Sequence, residues 1–237
     1  MVMLEARTPI RKGFVAVVSE IEDLAPRVRR IRLSGRELIG IDWTPGHKIK
    51  LQAGEKLRSY TPARVDADAG WMDIVFFLHG NGPASRWAAS VSVGERTRFI
   101  GPVKSIAGLK SPPEWAMFLG DETAIGLAAA LLESLPESVS VVGAIEVDAV
   151  DSPAIQRFGL PLNVALRQQA HGDALLDWLK ERELPEGPGM VWLSGEAGSV
   201  RALKRVIEKR SPSAKVRCKT KSYWSCKGHA HRKALKL

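Results

Sequence analysis

Cysteine is almost missing from this chain: Cys218 and Cys226 are the only two among 237 residues. Two thiols cannot build a disulfide framework or the cysteine set of an iron–sulfur cluster, and their scarcity favours a reducing compartment. Long hydrophobic runs are missing too. The longest, Ala124 to Leu132, is about half of the ~20 residues that a bilayer crossing needs. Met1 to Phe14 carry charges but no apolar core segment, so no signal peptide is expected. A cytoplasmic protein is the resulting expectation. Internal repeats and low-complexity tracts are also absent. Cys226, His229 and His231 stand at Cys-x2-His-x-His spacing, but a structural zinc site takes four ligands. They read as a chance cluster in a tail, and no metal site is expected.

What is present is ordinary soluble composition, 45% hydrophobic and 26% charged, enough for a sizeable core. The length favours two domains. Charge is divided unevenly along the chain. Residues 201–237 hold thirteen Lys/Arg against one acid, Glu208, whereas the 200 residues before them hold 22 Lys/Arg and 25 acids. The basic character therefore belongs to the last segment and points to an anionic partner there, or to a solvated surface.

Up to residue 106 the chain alternates short β-rich runs with turn signals. Strands are expected at Gly13 to Ser19, Val28 to Leu33, His47 to Leu51, Leu57 to Arg64, Met72 to Leu78 and Thr97 to Ile100. Six strands at this spacing suggest a small antiparallel barrel or sandwich, with one helix over Pro83 to Ser90. The stretch AGLKSPPE, residues 107–114, is a linker by its Gly, Ser and paired Pro. After it the rhythm becomes β/α. Strands are expected at 115–119, 139–147, 162–166, 191–193 and 215–224, and helices at 122–134, 173–183 and 199–209. Such alternation argues a parallel sheet covered by helices. The fold class is thus an N-terminal antiparallel β-barrel, residues 1–106, followed by an open parallel α/β domain, residues 115–237. Ligands of such sheets sit at the carboxyl ends of the strands.

Two phrases carry chemistry. In Arg58-Ser59-Tyr60-Thr61, Arg58 offers a planar fork for phosphate oxygens. Tyr60 shares its strand face and can lay a ring on a planar ligand. Thr61 can donate to a ring nitrogen. In His79-Gly80-Asn81-Gly82-Pro83-Ala84-Ser85, Pro83 opens a helix. The small residues around it let a diphosphate approach free N–H groups at the positive end of the helix dipole. Each phrase taken alone also fits a half-buried strand and a plain helix start. His79 has no acid placed to make it a catalytic pair.

Together they form a pattern. Thr8-Pro9, Arg29-Arg30-Ile31-Arg32-Leu33, Pro45-Gly46-His47-Lys48-Ile49-Lys50-Leu51, Arg58-x-Tyr60-Thr61, Leu78-His79-Gly80-x-Gly82-Pro83-Ala84-Ser85-x-Trp87-Ala88 and Gly101-Pro102 resemble the siderophore-interacting protein family. So do Leu119-Gly120-Asp121-Glu122-Thr123-Ala124, Ser194-Gly195-Glu196-Ala197 and Tyr223-Trp224. These are FAD-dependent ferric-siderophore reductases with a ferredoxin-reductase-like fold, and the likeness spans nearly the whole chain. The resemblance implies that Arg58 holds the FAD diphosphate, with Gly82, Pro83, Ala84 and Ser85 cradling it. Ser59 and His79 join the same cofactor site. Tyr60 lies along the flavin, and Thr61 bonds near its N5. Asp121, Glu122 and Thr123 close the flavin and nicotinamide site. This sequence departs from the pattern at Pro62-Ala63 and at Ser222, where a glycine is common.

No GxGxxG fingerprint follows the first α/β strand, which suits this family better than a Rossmann dehydrogenase. Glu196 and Arg201 are the candidate nicotinamide contacts. An arginine there could meet a 2′-phosphate and favour NADPH over NADH, while a solvent-facing helix residue is the plainer account of Arg201. Ferric siderophores are usually anionic, so Lys48, Lys50, Lys219, Lys221 and Lys227 are the candidate substrate contacts. Trp224 flanks the flavin or joins the core. The expected activity is reduction of a ferric siderophore with electrons from NAD(P)H, or from a ferredoxin, releasing Fe(II); the iron belongs to the substrate. Two alternatives stay open: a flavin reductase serving a quinone, free flavin or redox protein, and a nucleic-acid binder using the basic C-terminus. The second has no nucleic-acid motif in its favour, and neither nucleic acid nor membrane is expected as a partner.

Overall fold

A computed structural model describes residues 13–54, 56–80, 82–106, 111–211 and 215–226. Lys227, His229 and His231 lie outside the described residues, as do Asn81 and residues 107–110, the first half of the linker.

The first sheet contains β1 (Phe14–Ala25), β2 (Val28–Ser34), β3 (Lys48–Ala53), β4 (Lys56–Tyr60), β5 (Arg64–Asp66), β6 (Trp71–Phe77) and β7 (Arg96–Val103). Its strand order is β4-β3-β7-β1-β2-β6-β5, and every pairing is antiparallel. Strand β3 shows the alternation that drives this layer: Ile49, Leu51 and Ala53 are buried while Lys48, Lys50 and Gln52 point away. The first and last strands of this order, β4 and β5, are joined by residues 61–63 alone. So short a link reaches roughly 10–14 Å, so the two edges must curl toward each other and the sheet closes as a barrel.

That link also corrects the expectation of a single strand from Leu57 to Arg64. Pro62 has no N–H to give a ladder and holds Thr61 extended, so the run breaks into two strands on opposite edges. Helix α1 (Pro83–Ser90) follows the expected bounds and packs beside β3.

The second sheet holds β8 (Trp115–Asp121), β9 (Ser140–Val147), β10 (Asn163–Leu166), β11 (Gly189–Glu196) and β12 (Val216–Trp224), all parallel, in the order β10-β9-β8-β11-β12. Every residue of β8 and β11 is buried, as expected of central strands covered on both faces. Helices α4 (Asp173–Lys180) and α5 (Ala197–Arg210) cover one face through Leu175, Leu179, Val200, Leu203 and Ile207. A short helix, α3 (Pro153–Phe158), was not legible in the sequence; Gly159 ends it at φ 80°, a conformation glycine adopts without penalty.

Helix α2 (Ile125–Leu132) positions the site. All eight of its residues are buried, so it has no solvent face. One apolar core joins it to Leu24, Ala25, Val28 and Ala63 of the barrel and to Phe118, Ile145 and Trp192 of the parallel sheet. Truncating a buried leucine of this kind to alanine costs about 2–5 kcal/mol. The two sheets are thereby locked together, and the carboxyl ends of β8 and β11 face the barrel edge. The strand order reverses about β8, which is where ligands of open α/β sheets bind.

Candidate functional site

A cleft of about 560 Å³ runs between the barrel and the carboxyl ends of the parallel strands. Its barrel wall is Arg58, Ser59, Tyr60 and Thr61 from β4 and its exit, Val75 and Phe77 from β6, Leu78, His79, and Arg27 from the β1–β2 turn. Its other wall is Glu122, Thr123, Gly126, Leu127, Arg167, His171, Tyr223 and Trp224.

On the barrel wall, Tyr60 pairs with Ile49 and Arg58 with Leu51 across the β3–β4 ladder, so the two share one strand face. The Tyr60 ring packs on Phe76, centroids 4.6 Å apart, and burial pushes its phenol up to about 12. Arg58 is exposed, bonds the Leu57 carbonyl at 3.2 Å, and has no carboxylate partner among the described residues. Such a guanidinium is available to an anion. Helix α1 starts at Pro83 after Gly82, whose lack of a side chain leaves the N-cap position without a cap bond, and the first N–H groups of a helix have no partner within it. A side chain at Gly82 would come within 3.0 Å of the His79 ring, so His79 and the helix start are adjacent. Ser85 is buried and accepts the Gly80 N–H at 3.0 Å, closing the turn between them.

The opposite wall is built on charge. Arg167, beyond the end of β10, pairs with Glu122, with Glu146 at 3.2 Å and with Asp148 at 3.4 Å. Glu122 and Glu146 are 3% and 1% exposed, so this arginine is what keeps two buried carboxylates tolerable. Burial pushes the Glu122 carboxyl up, opposed by its bond to Arg167. Arg27 reaches from the barrel to Asp151 at 2.8 Å and to Asp148, binding the two halves of the cleft. His171 stands edge-on to Trp224, centroids 4.7 Å apart, and its buried Nδ1 has no hydrogen-bond partner among the described residues.

Asp121 faces inward. Its carboxylate accepts from the N–H groups of Thr123 at 3.0 Å and Glu196 at 2.8 Å and from the Trp224 indole at 3.0 Å. Glu196 caps α5 through Ser199 N–H at 2.8 Å and accepts Cys226 N–H at 3.1 Å. Burial works against its charge, but these amides outweigh it and hold the carboxyl below the usual range. Arg201 is exposed on α5.

The structure therefore brings Arg58, Ser59, Tyr60, Thr61, His79, Glu122 and Thr123 to one cleft, with Gly82 against His79 and Asp121 and Glu196 holding strand ends behind it. Lys48 and Lys221, from different sheets, come close: burial, then the positive Lys48, holds Lys221 below the usual lysine range. Lys50 and Lys219 lie two residues along the same strands, and none of the four lines the cleft. Sequence reasoning missed Arg27, Arg167 and His171. Arg167 and His171 flank the turn after β10 in a polar stretch, and no spacing rule ties them to residues 45 or more positions away.

The donor set fits a flavin dinucleotide. An arginine with no carboxylate partner among the described residues and a helix start at Gly82-Pro83 suit a diphosphate, and a broad cleft walled by Tyr60, Phe77 and Trp224 suits a flat heterocycle.

Known proteins agree with this geometry. Residues 52–106 match the family model for the siderophore-interacting FAD-binding domain, and residues 113–227 match that for the siderophore-interacting protein. The ferric vibriobactin reductase ViuB of Vibrio cholerae is 24% identical over 226 residues, covering 82% of this chain and 83% of the relative. The NADPH-dependent ferric-chelate reductase of Escherichia coli is 26% identical over 192 residues, covering 79% of this chain and 71% of the relative. The crystal structure of a siderophore utilization protein from T. fusca superposes with a TM-score of 0.77 at 28% identity, covering 91% of this chain and 94% of the other. The chain belongs to the siderophore-interacting protein family, with an FAD-binding segment in its first half.

Proposed function

We propose that this protein is an FAD-dependent reductase of ferric siderophores that draws its electrons from NAD(P)H. The observation that carries this reading is the meeting, in one cleft, of the Arg58–Thr61 segment with the ends of the parallel strands. The two family matches support the flavin and the ferric substrate, and the name of the Escherichia coli relative supports the nicotinamide donor.

When bound, FAD supplies the exchange between a two-electron donor and a one-electron acceptor. For each NAD(P)H oxidised, two Fe(III) become Fe(II) and one proton is released. The residues of this chain bind, orient and shield. Arg58 and the N–H groups of Gly82, Ala84 and Ser85 would hold the diphosphate, Tyr60 would support the flavin, and Thr61 would offer its hydroxyl to the flavin edge. Glu122, Thr123 and Trp224 bound the nicotinamide side. Asp121 and Glu196 fix the strand ends there, and Arg201 stands on the adjoining helix. Lys48 and Lys221, with Lys50 and Lys219 beside them, gather the anionic chelate. Reduction lowers the affinity of an oxygen-rich chelator for its iron, so no protein acid or base is required. We assign residues 1–106 to flavin binding and residues 115–237 to the nicotinamide side, and place the reaction in the cytoplasm.

The test is a visible spectrum of the purified protein reconstituted with FAD. Flavin bands should bleach on adding NADPH or NADH anaerobically and return on adding a ferric siderophore. Bands that bleach but do not return with iron, yet return with a quinone, would move the assignment to another acceptor. A protein that takes up no FAD would end the reading.

A further inference from the structure

Asp148 stands immediately beyond β9, and its carboxylate is shared by two arginines from opposite walls of the cleft. Arg27 of the barrel bonds Oδ2, and Arg167, beyond β10, bonds Oδ1 at 3.4 Å. A carboxylate has about four lone-pair sites, so each oxygen keeps room for a further donor. The side chain is 36% exposed. The bond from Arg27, opposed by burial and helped by the charge of Arg167, holds the Asp148 carboxyl below its ordinary range. It is ionised near neutral pH.

Both guanidiniums are already matched. Arg167 also holds Glu122 and Glu146, and Arg27 also holds Asp151. Four carboxylates, Glu122, Glu146, Asp148 and Asp151, thus meet two arginines. The side chains of the other three acids are at most 3% exposed, so Asp148 is the acid this cluster shows to a ligand. The face it presents carries negative charge.

Strand order says which part of a ligand meets that face. In the reading above, the flavin lies between Tyr60 and Thr61 of the barrel and Trp224 at the end of β12. Strand β12 is an edge, so a nicotinamide dinucleotide whose reactive ring meets the flavin has the ends of β11, β8, β9 and β10 to lie across. Its adenosine end then falls beyond β8, toward β9 and β10. In doubly wound sheets an acid in this region takes the ribose hydroxyl of NAD, whereas an arginine accommodates the 2′-phosphate of NADP. Asp148 is such an acid, and the arginines beside it are occupied. Arg201 stands on α5, which follows β11 on the other side of β8.

We propose that Asp148 is a specificity-determining residue for the electron donor: its carboxylate accepts the ribose hydroxyls of NADH and repels the 2′-phosphate of NADPH. This rests on the flavin and nicotinamide reading above. It departs from the NADPH in the name of the Escherichia coli relative.

The experiment measures the dissociation constants of NAD⁺ and NADP⁺ for the FAD-reconstituted protein by calorimetry at pH 8, where ordinary histidines carry no charge. Neither oxidised nucleotide reacts with oxidised flavin, so the readout is independent of turnover. NAD⁺ should bind at least about tenfold more tightly. The preference should narrow as salt is raised, because the opposing charges are screened, and this arm needs no variant. Asp148→Asn keeps the size of the side chain and removes its charge. Its affinity for NAD⁺ should fall about three- to tenfold, the scale of one hydrogen bond, while its affinity for NADP⁺ rises. A general loss of fold would weaken both. Anaerobic bleaching of the flavin by NADH and by NADPH should follow the same order. Equal or tighter binding of NADP⁺ by the unaltered protein, or parallel weakening of both nucleotides in Asp148→Asn, would overturn the proposal and leave the nicotinamide reading standing. A protein whose FAD is bleached by neither NADH nor NADPH would sink that reading, and the proposal with it.

Discussion

Asp121 accepts the indole N–H of Trp224 at 3.0 Å, joining the carboxyl end of the central strand β8 to that of the edge strand β12. The same carboxylate takes the Glu196 N–H at 2.8 Å at the end of β11, which lies between them. One side chain thus ties three strand ends behind the cleft. Gly195 makes room for it: at φ +120° this residue has no side chain, and a Cβ there would stand 2.3 Å from Asp121 Oδ2.

Asp121→Ala should therefore cost stability before it costs chemistry. It strands a buried backbone N–H and an indole N–H, each worth about 1–3 kcal/mol when left unmade. Urea unfolding should show a loss of about 2–6 kcal/mol, and Trp224 fluorescence should report its release from the strand end.

Arg58→Ala has the opposite signature. Arg58 is exposed and bonds a neighbouring carbonyl rather than a carboxylate, so the unfolding midpoint should barely move. FAD affinity should fall by about 1.5–3 kcal/mol, on the order of ten- to 150-fold, for a lost charged hydrogen bond. Urea unfolding checks the first half and equilibrium dialysis of FAD the second, and undiminished flavin content would remove Arg58 from the site.

Arg167→Met should be destabilising by about 3–5 kcal/mol, because it leaves Glu122 and Glu146 as buried carboxylates without their cation. The loss should depend on pH with a definite sign. The Glu122 carboxyl is already raised by burial, and Arg167 is what pulls it back. In the variant it rises further, so the folded state binds a proton that the unfolded state releases. Stability must then fall as pH rises through that interval and recover as pH falls. Unfolding free energies between pH 8 and pH 5 should show the gap to wild type narrowing toward acid; a gap that widens would contradict the assignment.

Lys48→Gln and Lys221→Gln should each raise KM for an anionic ferric chelate several-fold while leaving the rate of flavin reduction by the nicotinamide unchanged. The two ammonium groups are close enough that Lys48 depresses Lys221, and the effect should weaken with salt because exposed charges are screened over about 8–10 Å. Steady-state assays at low and high ionic strength, beside stopped-flow bleaching, separate the two steps. Equal loss in both steps would place the lysines in flavin binding instead.

Local pattern was enough for most elements and for one wall of the site. Alternation at Lys48–Ala53, the Pro83 helix start and the β/α rhythm after the linker each depend on near neighbours, so they are written in the sequence. Arg58, Tyr60 and Thr61 were legible because three residue types with matched chemistry stand within four consecutive positions, at the end of β4 and just beyond it. What short spacing cannot carry is contact between distant segments. Leu57 to Arg64 looks like a single strand until Pro62 sends the chain to the opposite edge of the sheet. Arg167 and His171 sit in an unremarked polar turn until the sheet sets them against Glu122 and Trp224.

The sequence by itself determined a barrel followed by a parallel sheet, the strand carrying Arg58 and the small-residue turn that opens α1, and the uneven charge of the last segment, because these depend on residue type and short-range order. Only the tertiary structure decided that Asp121 and Glu196 hold strand ends, that Arg167 neutralises Glu122 and Glu146, and that Tyr223 bonds Thr61. Those pairings arise when the all-buried helix α2 presses the two sheets together, and packing of that kind joins residues without regard to their distance along the chain.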